Sequence, residues 1–381
     1  MAEKNIWIGL SGGVDSSVAA ALLQEQGHDV TGVYLKCWED TLPDGSCPWE
    51  EDQKDAQAVA GVLGIPFRSI NLVKPYRERV FQYMLDEYKA GRTPNPDVVC
   101  NREIKFGLFL EEALAADADA VATGHYARLA YKRSAANGNA KPRETVQLLA
   151  GVDGNKDQSY FLWQLKQEQL RHALFPIGHM QKAQVRAEAQ RRGLKTATKP
   201  DSTGVCFVGE VPMQEFLERF IAPNPGPVLT SAGKQVGEHR GLHYYTIGQR
   251  KGIGVTGGGP PYFVAEKDEA RNALVVVSPA EEGNSLYATE LLADSVNWIS
   301  PTSSLNGGGE TSTINVLARI RYRQPLQHAT VMQNGGGDLP AGRQGPSTIR
   351  VVFDEPQRAV TPGQSVVFYD GDIMLGGGVI R

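Results

Sequence analysis

The segment that most constrains the fold lies near the start of the chain, where an apolar run, a glycine-containing loop and a helical pattern follow one another directly. The apolar run is Asn5–Leu10, the loop contains Gly12 and Gly13, and the helical pattern covers Ser16–Gln26. Adjacent glycines let a backbone approach an anion closely, and a helix start offers unpaired N–H groups. In a parallel sheet this turn lies at the carboxyl edge, where ligands bind. The segment therefore predicts a phosphate site.

The residues of this loop distinguish it from two well-known phosphate loops. No Gly-Lys-Ser/Thr step follows, which excludes a Walker A motif, and the Gly-x-Gly-x-x-Gly spacing is missing. Asp15 lies where the negative charge of the phosphates would accumulate. A carboxylate at this position is compatible with a Mg²⁺ ion between Asp15 and the phosphates. The loop resembles that of the pyrophosphatase-loop ATP enzymes, which cleave ATP between the α and β phosphates and adenylate a substrate oxygen. A capped helix start without a ligand is the alternative. The predicted nucleotide-binding residues are Gly9, Leu10, Ser11, Gly12, Gly13, Val14, Asp15 and Ser16.

Strand and helix patterns alternate over roughly the first 130 residues, which predicts a parallel sheet covered on both faces. The Pro- and Gly-rich cluster Pro223–Pro227 ends this region, and short β patterns follow, among them Leu242–Thr246 and Ala273–Val277. Such short strands favour a small barrel or sandwich. The predicted fold is an α/β, adenine-nucleotide-binding domain at 1–222, a small β-rich central domain at 223–287 and a C-terminal β-barrel at 288–381.

Charge and cysteine content limit the class of protein. The net charge is −4, from 39 basic and 43 acidic residues, so a nucleic-acid partner must meet a local basic patch. No apolar run is long enough to cross a membrane, and the first residues lack a signal-peptide core. Four cysteines are too few for a secreted disulfide scaffold. We therefore expect a cytoplasmic protein with reduced thiols and no membrane partner.

Two cysteines, Cys100 and Cys206, are predicted on loops. Arg102 and Lys105 near Cys100, together with a following helix start, predict a lowered thiol pKa. Each cysteine alone is more typical of a structural role, but beside an adenylating loop the pair suggests that one carries sulfur as a persulfide and the other attacks or resolves it. Without a Cys-x-x-Cys motif no metal site is predicted. An iron–sulfur cluster on these cysteines and Asp97 is not indicated by the spacing.

These features together resemble the bacterial tRNA-specific 2-thiouridylase family (MnmA/TrmU), over nearly the whole chain. The resemblance implies ATP-dependent replacement of the 2-oxygen of uridine 34 in the tRNA anticodon by sulfur. It implies Mg²⁺, a persulfide-donating sulfur-carrier protein or cysteine desulfurase as partner, and a chain that acts as a monomer. The matching segments are Gly9–Ser16, Thr93–Phe106, Ala122–Arg128, Asp153–Leu162, Asp201–Gly209, His243–Gly252, Arg319–Gln324 and Thr361–Gly378.

Carried over residue by residue, the resemblance gives roles to positions outside the loop. Leu35 and Gly124 would line the nucleotide site. Cys100 would be the nucleophile and Cys206 the persulfide carrier, with a disulfide between them that then needs reduction. The target base would meet Asn95, Pro96 and Asp97, of which Asp97 is also predicted to be catalytic. The residues expected to touch tRNA are His125, Lys156, Asp157, Gln158, Arg321, Tyr322 and Gln364. Asn334–Gly345 is an insertion relative to the family.

Several of these residues have simpler interpretations. Asn-Pro-Asp is an ordinary turn, and His125 is also typical of a satisfied hydrogen-bond partner. A basic run between Lys182 and Lys199 predicts either a phosphate contact or a solvated helix face. Arg319, Arg321 and Arg323 are predicted to share one face of a strand, with Tyr322 opposite. A nitrogen-transferring pyrophosphatase-loop ligase and a non-catalytic RNA-binding module are the alternative functions.

Overall fold

The computed structural model describes residues 3–40, 48–133, 144–201, 213–255, 260–299, 311–334 and 348–381. Cys206, Cys47 and most of the Asn334–Gly345 insertion lie outside these residues. The strands up to residue 201 are β1 Asn5–Gly9, β2 Asp29–Lys36, β3 Phe67–Asn71, β4 Ala120–Ala122, β5 Ala127–Arg133, β6 Glu144–Ala150 and β7 Ala173–Leu174. The later strands are β8 Gly226–Thr230, β9 Gln235–His239, β10 Phe263–Asp268, β11 Ala273–Val277, β12 Tyr287–Trp298, β13 Thr311–Arg319, β14 Gln327–Asn334, β15 Ile349–Arg358, β16 Ser365–Asp370 and β17 Ile373–Ile380.

Most helices belong to the N-terminal half. They are α1 Val14–Glu25, α2 Pro48–Leu63, α3 Val73–Tyr76, α4 Gln82–Lys89, α5 Pro96–Cys100, α6 Phe109–Ala115, α7 Gln167–Leu170, α8 Lys182–Arg191, α9 Met213–Glu218 and α10 Glu282–Ser285. Two π-helical segments, Arg77–Phe81 and Asn101–Leu108, join α3 to α4 and α5 to α6. Short 3-10 turns lie at Ser159–Leu162, Lys195–Thr198 and Leu242–Tyr244.

The N-terminal sheet has the order β3-β2-β1-β4-β7, and every neighbouring pair is parallel. Side chains of β1 alternate between two hydrophobic cores: Ile6 and Ile8 pack in the core that includes α1 and α2, and Trp7 packs in the core that includes α4 and α6. The predicted parallel sheet covered on both faces is confirmed. The chain leaves β1 toward β2 on one side and later returns to β4 on the other, so β1 and β4 flank the topological switch point.

The central sheet has the order β10-β11-β8-β9. The predicted strand Ala273–Val277 is confirmed as β11. The strand predicted over Leu242–Thr246 is wrong, because Leu242–Tyr244 forms a 3-10 turn. Its aromatic residues have strand propensity, but Gly241 enters the turn at φ +153° and the buried Tyr244 hydroxyl donates to the Ile221 carbonyl at 2.5 Å.

The C-terminal strands form a closed antiparallel barrel in the order β12-β15-β14-β13-β16-β17, which β12 closes by pairing with β17. Its core is built from alternate residues, such as Val316 and Ala318 of β13. The sequence did not reveal that the hairpin β5–β6, from the N-terminal half, extends this sheet by pairing Leu149 with Ile373. The division at residues 222 and 287 stays a prediction.

In the parts of the chain that the structure describes, none of the helices combines the length and apolar character needed to span a bilayer.

Candidate active site

The glycine loop after β1 has the geometry of an anion cradle. Gly12 has φ +71°, and a Cβ there would lie 2.6 Å from the Asp52 carbonyl oxygen, so this position requires glycine. Gly13 is the N-cap of α1, and the first intrahelical bond runs from the Ser17 N–H to its carbonyl at 3.3 Å. The N–H groups before that bond have no intrahelical partner and lie at the carboxyl edge of the sheet. These donors fit the phosphates of ATP.

The second wall of this cradle is Gly124, just after β4. A Cβ at Gly124 would lie 2.6 Å from the Ser16 amide nitrogen and 2.8 Å from the Asp15 carbonyl carbon. The two turns that flank the switch point therefore touch through backbone alone, and ligands of parallel sheets bind outside this point. Leu35, near the end of the neighbouring strand β2, is buried.

The Asp15 carboxylate is held by two side chains. The Tyr126 hydroxyl donates to one oxygen at 2.8 Å, and the Lys182 ammonium contacts both oxygens at 2.8 and 2.9 Å. One carboxylate beside a phosphate cradle is the kind of site that Mg²⁺ occupies together with substrate phosphates. The loop without its own lysine thus receives one from α8.

Asp201 forms ion pairs with three cationic side chains, one of which is the Lys182 that also binds Asp15. Its carboxylate contacts Lys156 at 2.5 Å, Lys182 at 2.8 Å and Arg186 at 2.7 Å. Partial burial alone would raise the pKa of Asp201, but hydrogen bonds from Lys156 and Lys182 lower that pKa to about 2. Lys199 pairs with Asp52 and Asp55 beside the loop. Lys182, Arg186 and Lys199 of the basic run are therefore paired within the chain, whereas Arg191 and Lys195 are exposed.

Cys100 does not lie on a loop, so that prediction is wrong. Pro96 starts α5 at a position that needs no N–H donor, and the helix continues from Cys100 into the π-helical segment Asn101–Leu108. Cys100 is fully buried in the hydrophobic core, and Asp97, one turn earlier in the first turn of the helix, is half-buried. Residues three apart share a helix face, so Asp97 and Cys100 point the same way.

The loop before this helix is fixed by the C-terminal barrel. The Gln364 side-chain amide donates to the carbonyls of Thr93 at 2.9 Å and Pro94 at 3.2 Å. The Thr93 N–H donates to the Pro362 carbonyl at 2.9 Å, and its hydroxyl lies 3.2 Å from that of Thr246 in the central domain. Gln364, expected to touch tRNA, supports the loop residues Thr93 and Pro94 that lead into α5 through these contacts.

The predicted basic strand face is also wrong. Strand β13 ends at Arg319, and Arg321, Tyr322 and Arg323 lie in the following turn, where Arg323 has φ +65°. The Arg321 guanidinium donates to carbonyls of Ile247 and Ala359 and to the Thr361 hydroxyl, within the chain.

Tyr322 is half-buried, and its ring packs beside Phe161 at a centroid separation of 4.7 Å. The guanidinium carbon of Arg323 lies over the Tyr322 ring, 5.1 Å from its centroid. Tyr322 is therefore the member of this turn that combines an aromatic ring with a neighbouring cation, a pairing suited to a nucleobase.

His125 lies between aromatic rings at the end of β4. Its centroid is 6.1 Å from that of Phe106 and 6.0 Å from that of Phe175, and its Nδ1 atom lies 2.7 Å from the Thr123 hydroxyl. Burial, and secondarily the nearby Lys105, holds the pKa of His125 well below its usual range. A neutral, buried imidazole fits the structural interpretation of this residue.

Lys156, Asp157 and Gln158 each contact a different element. Lys156 pairs with Asp201, as described, and the buried Asp157 pairs with Arg319 of the barrel. The Gln158 side-chain oxygen accepts the Tyr126 N–H at 3.0 Å. These contacts lie within the chain.

Three family models match the chain in order. The tRNA methyl transferase HUP domain model matches residues 4–210, the tRNA methyl transferase PRC-barrel domain model matches 214–278, and the Aminomethyltransferase beta-barrel domain model matches 288–380. The tRNA-specific 2-thiouridylase MnmA of Bacillus pumilus is 48% identical over 381 residues, covering 99% of this chain and 95% of that protein. The protein of the same name from Streptococcus mutans is 49% identical over 382 residues, with the same coverage. The chain belongs to the tRNA-specific 2-thiouridylase family.

Two solved structures resemble this member of the 2-thiouridylase family weakly. The U34-tRNA thiolase NcsA of Methanococcus maripaludis has a TM-score of 0.31 at 15% identity, covering 54% of this chain and 63% of that one. NMN synthetase of Francisella tularensis has a TM-score of 0.32 at 17% identity, covering 52% of this chain and 67% of that one. Likenesses this low carry no inference.

The sequence alone does not reveal the roles of three side chains in this member of the 2-thiouridylase family. Tyr126 was not singled out, although it follows His125 directly at the switch point. Lys182 was noticed only as one of several basic residues, and Asp201 only as the start of the segment that contains Cys206. No local pattern reveals that Lys182 and Asp15 meet, because their contact depends on how α8 packs beside α1.

Proposed function

We propose that this chain is an ATP-dependent tRNA-uridine 2-sulfurtransferase. It adenylates the 2-oxygen of uridine 34 in the anticodon and replaces that oxygen with sulfur from a cysteine persulfide, releasing AMP and pyrophosphate. The observation that carries this proposal is the glycine loop at the switch point, with Gly124 against the start of α1. Membership of the tRNA-specific 2-thiouridylase family supports tRNA as the substrate.

The groups proposed to hold ATP are the residues of Gly9–Ser16, with Leu35 and Gly124 beside them. Mg²⁺ is proposed to bind at Asp15, where, once bound, it would offset negative charge on the phosphates. The Lys182 ammonium is placed to stay near this carboxylate or to turn toward a phosphate, since it is 2.8 Å from Asp15 and only 13% exposed. Asp15 and Lys182 would thus act on the leaving pyrophosphate.

The proposed sulfur chemistry takes place at the start of α5. Asp97, with Asn95 and Pro96, would receive a uracil turned out of the anticodon loop and accept its N3–H. The terminal sulfur of a Cys206 persulfide would attack C2, either directly or as sulfide released by Cys100, and AMP would leave. With direct attack, Cys100 then attacks the Cys206 sulfur, which frees the thiouridine and forms a Cys100–Cys206 disulfide. The buried position of Cys100 means that its sulfur must become accessible during the cycle.

The partners form part of the same proposal. Sulfur is proposed to arrive from a persulfide-donating sulfur-carrier protein or a cysteine desulfurase, and the chain is proposed to act as a cytoplasmic monomer. Tyr322, half-buried and paired with Arg323, is proposed to contact the tRNA.

The experiment that tests the function combines bulk tRNA, ATP, Mg²⁺ and a persulfide donor, followed by mass spectrometry of the nucleosides. Thiolated uridine is expected with the native chain and is expected to disappear in both Cys100→Ser and Cys206→Ser. Cys37→Ser is the matched control, because Cys37 is another buried cysteine and has no proposed part in the sulfur transfer. Unchanged product with Cys206→Ser would remove its role as sulfur carrier.

A further inference from the structure

Two chains of contacts lead from the short segment Lys156–Gln158 to Asp15. In the first, Lys156 binds Asp201, Asp201 binds Lys182 at 2.8 Å, and Lys182 binds Asp15. In the second, Gln158 accepts the Tyr126 N–H at 3.0 Å, and the Tyr126 hydroxyl donates to Asp15 at 2.8 Å. The Asp15 carboxylate is therefore held by two chains of contacts, here called arms, and both begin in the segment Lys156–Gln158.

Asp157, which lies between Lys156 and Gln158, is anchored to the C-terminal barrel. Asp157 is only 5% exposed and its partner Arg319 only 6%. One Asp157 oxygen accepts the N–H groups of Gly151 at 2.9 Å and Ser159 at 3.0 Å, and the other pairs with Arg319. Arg319 also donates to the Tyr369 hydroxyl at 2.6 Å. Both oxygens of Asp157 are thus used inside the protein.

A buried ion pair of this kind fixes geometry more than it adds stability. Removing one partner leaves an uncompensated buried charge, whereas removing both charges together does not. The position of Asp157 relative to strand β13 is therefore well defined, and so are the starting points of both arms.

We propose that Lys156, Asp157 and Gln158 are positioning residues that align the Asp15 carboxylate and tie its alignment to the seating of the C-terminal barrel. The contacts that align Asp15 lie inside the protein. This inference rests on the proposed function, because Asp15 must act on ATP for its alignment to matter.

The experiment measures tRNA-dependent pyrophosphate release from the full chain, as kcat and as KM for tRNA, with thermal unfolding followed in parallel. The first variant is Asp157→Asn with Arg319→Gln, which removes both buried charges together. We expect its kcat to fall about ten-fold, with the KM for tRNA within about two-fold of the native value. The matched control is Glu290→Gln with Arg350→Gln, an exposed ion pair of the same barrel, which is expected to leave both constants unchanged.

A second set of variants cuts the arms themselves and does not touch the buried pair. Lys156→Gln opens the first arm and Tyr126→Phe opens the second. Because each arm holds Asp15 in part, we expect the double variant to lose more kcat than the product of the two single losses. If the Asp157–Arg319 double variant does not fold, these variants still test whether the two arms align the Asp15 carboxylate.

The outcomes separate the explanations. A raised KM for tRNA with unchanged kcat would show that these residues contact tRNA, and a lowered melting temperature with both constants unchanged would show a purely structural role. Either result overturns the inference. Absence of pyrophosphate release from the native chain overturns the proposed function itself, which is a distinguishable failure.

Discussion

The ammonium of Lys182 lies 2.8 and 2.9 Å from the two carboxylate oxygens of Asp15, although 167 residues separate them in the chain. The contact brings a positive charge to a phosphate cradle that has no lysine of its own. It also holds in place the carboxylate proposed to meet Mg²⁺. The first turn of α8 is therefore part of the nucleotide site, although it follows the loop by more than a hundred residues.

Lys182→Met is expected to lower kcat for pyrophosphate release by about a hundred-fold, because a fixed charge beside developing phosphate charge is worth several kcal/mol at a preorganised site. ATP binding, measured by calorimetry, is expected to weaken less than kcat falls. Lys195→Met is the control, since Lys195 is an exposed lysine that follows the same helix. Equal kcat values for native and Lys182→Met proteins would exclude Lys182 from the site.

Gly124→Ala is expected to weaken ATP binding by about ten-fold, the equivalent of 1.4 kcal/mol. The added Cβ would lie 2.6 Å from the Ser16 amide nitrogen, and backbone there cannot move without deforming the cradle. The measurement is ATP affinity by calorimetry, with Gly61→Ala as the control because a Cβ at Gly61 meets nothing within 4 Å. Native affinity in Gly124→Ala would mean that the crevice between β1 and β4 is not the ATP site.

Cys100 is expected to resist alkylation by iodoacetamide in the protein alone, because its side chain is fully buried, and to react once tRNA and ATP are added. Labelling is followed by peptide mass spectrometry. Cys37, which is 1% exposed and has no proposed part in the reaction, is the internal control and is expected to stay protected in both conditions. Rapid labelling of Cys100 without substrates, or protection that persists during turnover, would contradict the proposed opening.

Patterns confined to a few neighbouring residues predicted the parts of this molecule that local physics decides. Gly12, Gly13 and the following helix predicted the cradle, since left-handed backbone and unpaired N–H groups are properties of the segment itself. The strand Ala273–Val277 was likewise found from its own apolar run.

The failures involve residues whose environment comes from distant parts of the chain. Arg319 looked like one of three exposed arginines, yet it is buried against Asp157, 162 residues earlier. Cys100 looked like a loop residue because two prolines precede it, but Pro96 is compatible with the first position of a helix. Contacts at such separations depend on domain packing, which no local spacing encodes.

Acidification is expected to destabilise the protein below about pH 6.5 through two buried histidines and a half-buried one. Burial lowers the pKa values of His125, His239 and His243. Below the ordinary histidine pKa, the unfolded chain binds protons that the folded chain does not. The stabilisation is therefore complete above that pH and is lost as the pH falls, with a limiting slope of about 1.4 kcal/mol per pH unit for each such histidine. Asp201, whose pKa is about 2, stays ionised throughout this range.

The midpoint of thermal unfolding, measured at pH 7.5, 6.5 and 5.5, tests this expectation. His125→Gln is expected to reduce the dependence on pH, because it removes one of the three titrating side chains. His328→Gln, at an exposed histidine, is the control and is expected to leave the dependence unchanged. A midpoint that is constant between pH 7.5 and 5.5 would mean that these imidazoles bind protons equally well in the folded and unfolded chain, contrary to their burial.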